Sequence, residues 1–209
     1  MDRGWRAIVC AATGPSFSAE QAEIIAAARR DDLCRVIAIN DNWRRLPCAD
    51  ILFAPDRSWW KLHVGAIRAS GFAGELWTVQ AKAAQMYGLH HVKHAHGAGL
   101  HPQSDTINCG GNSGFMAINL AYLFGVRRIV LVGYDMKRSL TGQTHWFGNH
   151  PAPLSNASPY PTFIKRFEAL AADLDRAGVT VINATTDTAL PYFKRHDLAD
   201  ALIALETTV

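Results

Sequence analysis

The run Arg127–Asp135, RRIVLVGYD, constrains this chain most: it is a strand rich in β-branched residues with no polar alternation, so both of its faces must be buried. Similar short apolar runs recur along the sequence and alternate with helical patterns. RAIVCAA (Arg6 to Ala12) closes on Thr13-Gly14-Pro15, and SAEQAEIIAAARR (Ser18 to Arg30) then has helical periodicity, with Ser18 and Gln21 spaced as a capping box. RVIAIN (Arg35 to Asn40), DILFA (Asp50 to Ala54) and ELWTV (Glu75 to Val79) read as further strands, and Asp56 is placed to cap a helix through RSWWKLHVGAIR. GFMAINLAYLF stops at Gly125. PTFIKRFEALAADLDRAG is amphipathic and ends in Gly178, VTVINA is a strand, and DLADALIALE closes the chain as a helix. Strands separated by helices imply a parallel sheet covered on both faces.

The expected fold class is therefore α/β: a single Rossmann-like domain over residues 1–209, with a mainly parallel sheet and a loop excursion at about 137–160. A chain of 209 residues, 49% hydrophobic and 19% charged, suits one well-buried core. The net charge of +3 is mild and the basic residues are scattered, so nucleic acid is not indicated as a partner. Cys10, Cys34, Cys48 and Cys109 form no CxxC pair, and the first ten residues lack the apolar run of a secretory signal. These features predict free thiols in a reducing, cytoplasmic setting. No stretch is apolar for long enough to suggest a membrane span, and a homo-oligomer stays open.

Ligands of such sheets bind beyond the carboxyl ends of the strands, which directs attention to ATGPS (Ala12 to Ser16), NDNW (Asn40 to Trp43), PDRSWW, GYDMKR and NATTDT. Gly14 would let backbone approach a ligand, and the helix start that follows would offer N–H groups to a phosphate; a strand-to-helix turn also needs a glycine and a capping serine for its own sake. With one glycine the turn is not the dinucleotide fingerprint GxGxxG. The stretch INCGGNSGFM raises the same choice. Gly110, Gly111 and Gly114 remove side chains where Asn112 and Ser113 supply donors and acceptors, which suits a nucleotide base or ribose; close packing of the helix on the sheet is the alternative.

Three other groups stand out. LHHVKHAHGAGLH carries His90, His91, His94, His96 and His101; His94 and His96 could chelate a metal from an extended segment, but no acidic or thiol ligand stands at suitable spacing, so a solvated surface loop is expected, with a metal site and a phosphate-contacting role as the alternatives. Asp135 follows the strongest strand, where a carboxylate could bind ribose or Mg²⁺ or stabilise a turn. Trp43, Trp59 and Trp60 near strand ends could stack on a base, with core packing the default for at least one of them.

In motif order, GPS after the first strand, AIND ending the second, NSGFMAINLAYLFGVRRIVLVGYDM, the loop HWFGNHP and the late VINATTDTALPYF resemble the bacterial sialyltransferases that use CMP-sialic acid. They equally resemble the motility accessory factors and the archaeal 6-hydroxymethylpterin diphosphokinases, and HWFG and NSG resemble small proteins of tailed phages and prophages. The sialyltransferase resemblance implies that Gly14, Pro15 and Ser16, beside Thr13, lie near the nucleotide phosphate, and Asn40 near the cytidine or phosphate. It also implies that Ser113 and Gly114, next to Asn112, lie near the sugar or ribose, with Asn183 completing the nucleotide pocket. The general base it implies is a loop histidine, here His150 or His145, whose imidazole titrates near neutrality. Two positions depart from that pattern: Thr13 stands in place of an Asn, and Lys137 to Thr144 lacks the tyrosines that assist the leaving phosphate. The pattern therefore does not fix CMP-sialic acid as donor.

The function expected is a nucleotide-sugar-dependent glycosyltransferase, with a nucleotide or nucleotide sugar as partner, an unidentified acceptor and no further cofactor. Two alternatives stay beside it: a Mg²⁺-dependent diphosphokinase using ATP, with Asp135 bridging the ion, and a nucleotide-binding phage protein without turnover.

Overall fold

The computed structural model describes residues 1–154 and 158–205. The chain opens with β1 (Ile8–Ala11), α1 (Ala19–Arg30) and β2 (Arg35–Ile39), followed by a short 3₁₀ turn at Asn40–Arg44. It continues through β3 (Ile51–Phe53), α2 (Arg57–Ala69), β4 (Glu75–Thr78), α3 (Ala81–Tyr87), β5 (His90–His91), β6 (Lys93–Ala95) and β7 (Thr106–Asn108). The second half contains α4 (Ser113–Leu123), β8 (Arg128–Val132), α5 (Tyr160–Arg176), β9 (Thr180–Asn183), β10 (Lys194–Arg195) and α6 (Leu198–Ile203). The last residue of the expected closing helix, Glu206, lies outside the described residues, as do residues 155–157 of the expected loop excursion.

Eight strands form one sheet in the order β10-β9-β8-β1-β2-β3-β4-β5, with every neighbouring pair parallel; β6 and β7 make a separate parallel ribbon. This is the α/β Rossmann-like architecture expected from the alternation. The chain walks outward from β1 to β5, returns through α4 to place β8 beside β1, and walks outward again. The strand order therefore reverses between β1 and β8, where Ile8 sits in register with both Arg35 and Ile129. A crevice opens at such a reversal because the two following connections leave in opposite directions.

The two-residue period of the strands divides the core. Ile8 and Cys10 pack with Phe115, Ile118 and Phe167 of α4 and α5, while Val9 and Ala11 pack with Ile25, Trp60 and Leu202 of α1, α2 and α6. Helix α4 is buried without a break from Gly114 to Ala121, since it lies against β1 and β2 and also under β7 and α5. That enclosure explains an apolar circumference on so short a helix. The cap at Ser18 is formed as expected: its hydroxyl accepts from the Gln21 N–H at 3.1 Å, and its own N–H donates to the Gln21 side chain at 3.2 Å.

Two local expectations change. The histidine-rich segment is not a plain surface loop: it contains β5 at the sheet edge, where the His90 ring stacks 4.9 Å from that of Trp77, and β6 in the ribbon. Asp56 occupies the N-cap position of α2, yet its side chain makes no cap hydrogen bond. No helix among the described residues is long and apolar enough to cross a membrane.

Candidate functional site

At the reversal between β1 and β8 lies a cleft of about 220 Å³. Its wall is built from the turn after β1, the residue after β2, the start of α4, the segment after β8 and the long loop that follows. The structure brings Thr13, Gly14, Pro15, Asn40, Asn112, Ser113, Gly114, Asp135, His145 and His150 to this one wall.

Their local reasons differ. Gly14 donates its N–H to the Gly133 carbonyl at 2.9 Å, and a Cβ on it would lie 2.0 Å from Asp135 Oδ2 and 2.4 Å from that carbonyl. The close approach at Gly14 is thus made by protein, not reserved for ligand. The Ser16 N–H donates to Asp135 Oδ1 at 2.8 Å and the Phe17 N–H to the Gly14 carbonyl at 3.1 Å, so these N–H groups are consumed within the protein. Ser16 itself does not line the cleft. The expected phosphate cradle of this turn is corrected accordingly.

Packing likewise accounts for two glycines before and within α4. A Cβ on Gly110 would meet the Phe115 ring at 2.1 Å, and one on Gly114 would meet Tyr134 at 2.7 Å, whose hydroxyl donates to the Gly114 carbonyl at 3.0 Å. Asn112 is the N-cap: its Oδ1 accepts from the Phe115 N–H at 2.8 Å. Ser113 accepts at Oγ from Asn40 Nδ2 at 3.2 Å. These bonds use only part of each side chain. Asn40 Oδ1, Asn112 Nδ2 and Asp135 Oδ2 are buried and have no hydrogen-bond partner, although each belongs to a residue of the cleft wall. Asn40 and Met136, also on the wall, have φ of +49° and +51°, a left-handed backbone that costs such residues about 1 kcal/mol or more.

Burial pushes the Asp135 carboxyl up to about 6, against the opposing effect of the hydrogen bond from the Ser16 N–H. The His145 imidazole is pushed down to about 4 by burial and, next, by the nearby His150; the two rings lie 4.6 Å apart. His145 is pinned in place by Thr13 Oγ1, 2.9 Å from its Nδ1, and by the Phe147 ring stacked 5.0 Å away. His150 is lowered by burial, while the carboxylate of Asp41, 3.7 Å from its Nδ1, holds it up. Asp41 is itself buried and anchored by the Trp59 indole N–H at 3.0 Å and by Arg44 at 3.3 Å.

Asn183 does not reach the cleft. It is fully buried, accepting from the Thr185 N–H at 3.1 Å and donating to Thr188 Oγ1 at 3.5 Å, and Thr188 in turn donates to the Tyr134 carbonyl at 2.6 Å. Its place is beneath the Tyr134-Asp135 turn, which corrects its assignment to the nucleotide pocket. Trp59 and Trp60 are core residues; the Trp60 indole donates to the Ala54 carbonyl at 2.8 Å. Among the described residues no three metal-ligating side chains converge. Asp41, Asn42 and Trp146 escaped the sequence reading as partners, although NDNW and HWFG contain them; a buried acid among aromatics after a strand end was the available signal.

No protein-family model and no curated protein matches the chain. Among solved structures the chain is similar to one titled "AtPrR2 in apo form", at 10% identity and a TM-score of 0.27, covering 97% of this chain and 66% of that one.

Proposed function

We propose that the cleft binds a nucleotide or nucleotide sugar and that the chain is a glycosyltransferase with His150 as general base, acting in the cytoplasm where its thiols stay reduced. The reading rests on one observation: three buried polar atoms without partners, Asn40 Oδ1, Asn112 Nδ2 and Asp135 Oδ2, belong to the wall of a cleft at the strand-order reversal. Buried polar groups are otherwise nearly always satisfied, and an unsatisfied one costs about 1–3 kcal/mol. A ligand with hydroxyls for the two acceptors and an acceptor for the amide would relieve all three. At the same end, the N–H groups of Ser113 and Gly114 have no partner among the described residues and stand at the positive end of α4, which favours a phosphate.

In the transfer, His150 Nε2 takes the proton of an acceptor hydroxyl while Asp41 steadies the imidazolium that forms. The acceptor oxygen bonds to the anomeric carbon, and the bond from that carbon to the phosphate oxygen breaks with its electron pair leaving on the phosphate. His145, neutral at pH 7 and already held by Thr13, positions the loop. A second reading has its own support. The carboxylates of Asp56 and Asp135 line the same cleft, and the open Asp135 oxygen would suit a Mg²⁺-nucleotide in phosphoryl transfer.

A thermal-shift screen against nucleotides and nucleotide sugars, with and without Mg²⁺, tests both. A ligand at a hundred times its Kd adds about 2.7 kcal/mol to stability. A shift lost in Asn40→Ala and Asp135→Ala is expected, and its absence with every nucleotide would overturn the proposal. A Mg²⁺ requirement would favour phosphoryl transfer, and ligand binding with no product formed would leave a binding protein.

A further inference from the structure

A second hollow, of about 530 Å³, adjoins the cleft and shares Asp56 and Gly111 with it. The second hollow gathers two imidazoles and a guanidinium, with the Asp56 carboxylate at the rim it shares with the cleft. His94 lies in β6 and His96 just beyond its end; both line this hollow, with ring centroids 6.2 Å apart. Arg166 of α5 completes the wall.

That guanidinium makes no ion pair or hydrogen bond with any described residue. Asp173, two turns further along α5, is occupied by Arg176 and by the Leu100 N–H. The guanidinium instead rests over Gly111, where a Cβ would lie 2.3 Å from its Nη1. With φ of +85°, Gly111 both turns the chain and leaves the space that holds Arg166 at the junction of the two hollows. A planar fork of N–H donors that no described carboxylate pairs with, Asp56 of the same hollow included, is suited to a carboxylate or phosphate.

We propose that this second hollow is the acceptor side of the site and takes a substrate bearing an oxyanion, held by Arg166, His94 and His96. The substrate's hydroxyl then reaches the shared rim beside Asp56 and His150. The word acceptor rests on the transferase reading; the oxyanion site does not.

Imidazole NMR resonances of the intact chain, assigned through His94→Gln, His96→Gln, His145→Gln and His150→Gln, separate the two. Inorganic phosphate, titrated at pH 7 and constant ionic strength, is expected to shift His94 and His96 saturably. Arg166→Gln, an exposed change on a helix, should weaken that titration about tenfold or more, the loss of a charge-assisted bond, and acetate should compete. No saturable shift, a shift confined to His145 and His150, or an unchanged Kd in Arg166→Gln would each overturn the oxyanion site. If His94 and His96 respond while no nucleotide moves His145 or His150, the oxyanion site stands and the transferase reading falls.

Discussion

The hydroxyl of Thr13 lies 2.9 Å from Nδ1 of His145, joining the end of the first strand to a loop 132 residues further along the chain. The next bonds extend the join. The Thr13 carbonyl accepts the Trp146 N–H at 3.1 Å, the Trp146 indole donates to Asn42 Oδ1 at 2.7 Å, and Asn42 Nδ2 donates to the carbonyls of Ala11 and Ala12 at 2.7 and 2.8 Å. Arg45 covers the indole from 3.8 Å. The HWFG turn is therefore fixed to the sheet edge, and both histidines are presented from a rigid mount.

Trp146→Phe should loosen that mount. It removes the indole N–H and leaves Asn42 Oδ1 without its donor beside a buried strand end, at a cost of about 1–3 kcal/mol. Urea denaturation should show the loss, and amide exchange should speed up around residues 144–148 first. Unchanged exchange there would mean that other contacts hold the turn.

Asp135→Asn should stabilise the protein at alkaline pH while abolishing nucleotide binding. The folded carboxyl, at about 6, lies above the unfolded value near 3.9, so the folded state binds more protons between those pH values. Stability contributed by this group is present at low pH and lost as the pH rises through about 6, by up to about 3 kcal/mol. Asn can keep the hydrogen bond from Ser16 without the buried charge. A gain of about 1–2 kcal/mol at pH 8 that fades towards pH 4 is expected from denaturation at a series of pH values.

Much of this was legible before the structure. The sheet was readable because β1, β2 and β8 are continuous apolar runs, and runs of that kind require burial on both faces. The short strands β5, β6, β7 and β10 were not, since two or three residues carry no period and His90-His91 owes its place to Trp77 and the parallel edge. The cleft was readable as a set of strand ends, which the parallel topology alone brings together. What each residue does there was not. Gly14 and Asn183 look like ligand residues until tertiary packing shows that one meets Asp135 and the other supports the turn carrying it. Asp41 was hidden for the opposite reason, because its partners Trp59 and His150 lie 18 and 109 residues away.

Gly14→Ala follows from the same packing. Its Cβ would be driven into the Asp135 carboxylate and the Gly133 carbonyl, and backbone cannot yield as a flexible side chain does. The change should cost about 1–3 kcal/mol as overpacking and should weaken ligand binding only through the displaced carboxylate. Intact stability with lost binding would restore Gly14 as a ligand-contacting position.

His150→Gln should lower turnover about a hundredfold or more with donor binding retained, whereas His145→Gln should act mainly on stability and loop order. The pH profile separates them further. Burial pushes the His150 imidazole down, so the rate should rise with pH through a midpoint below the ordinary 6.5. The carboxylate of Asp41 favours the imidazolium, so removing its charge in Asp41→Asn should move that acid limb to still lower pH. Turnover should fall as well, because the imidazolium formed during transfer loses its counter-charge. A role confined to packing would lower stability and leave the limb where it was. The limb that fails to move in Asp41→Asn, or that persists unchanged in His150→Gln, would transfer the base to another group of the cleft.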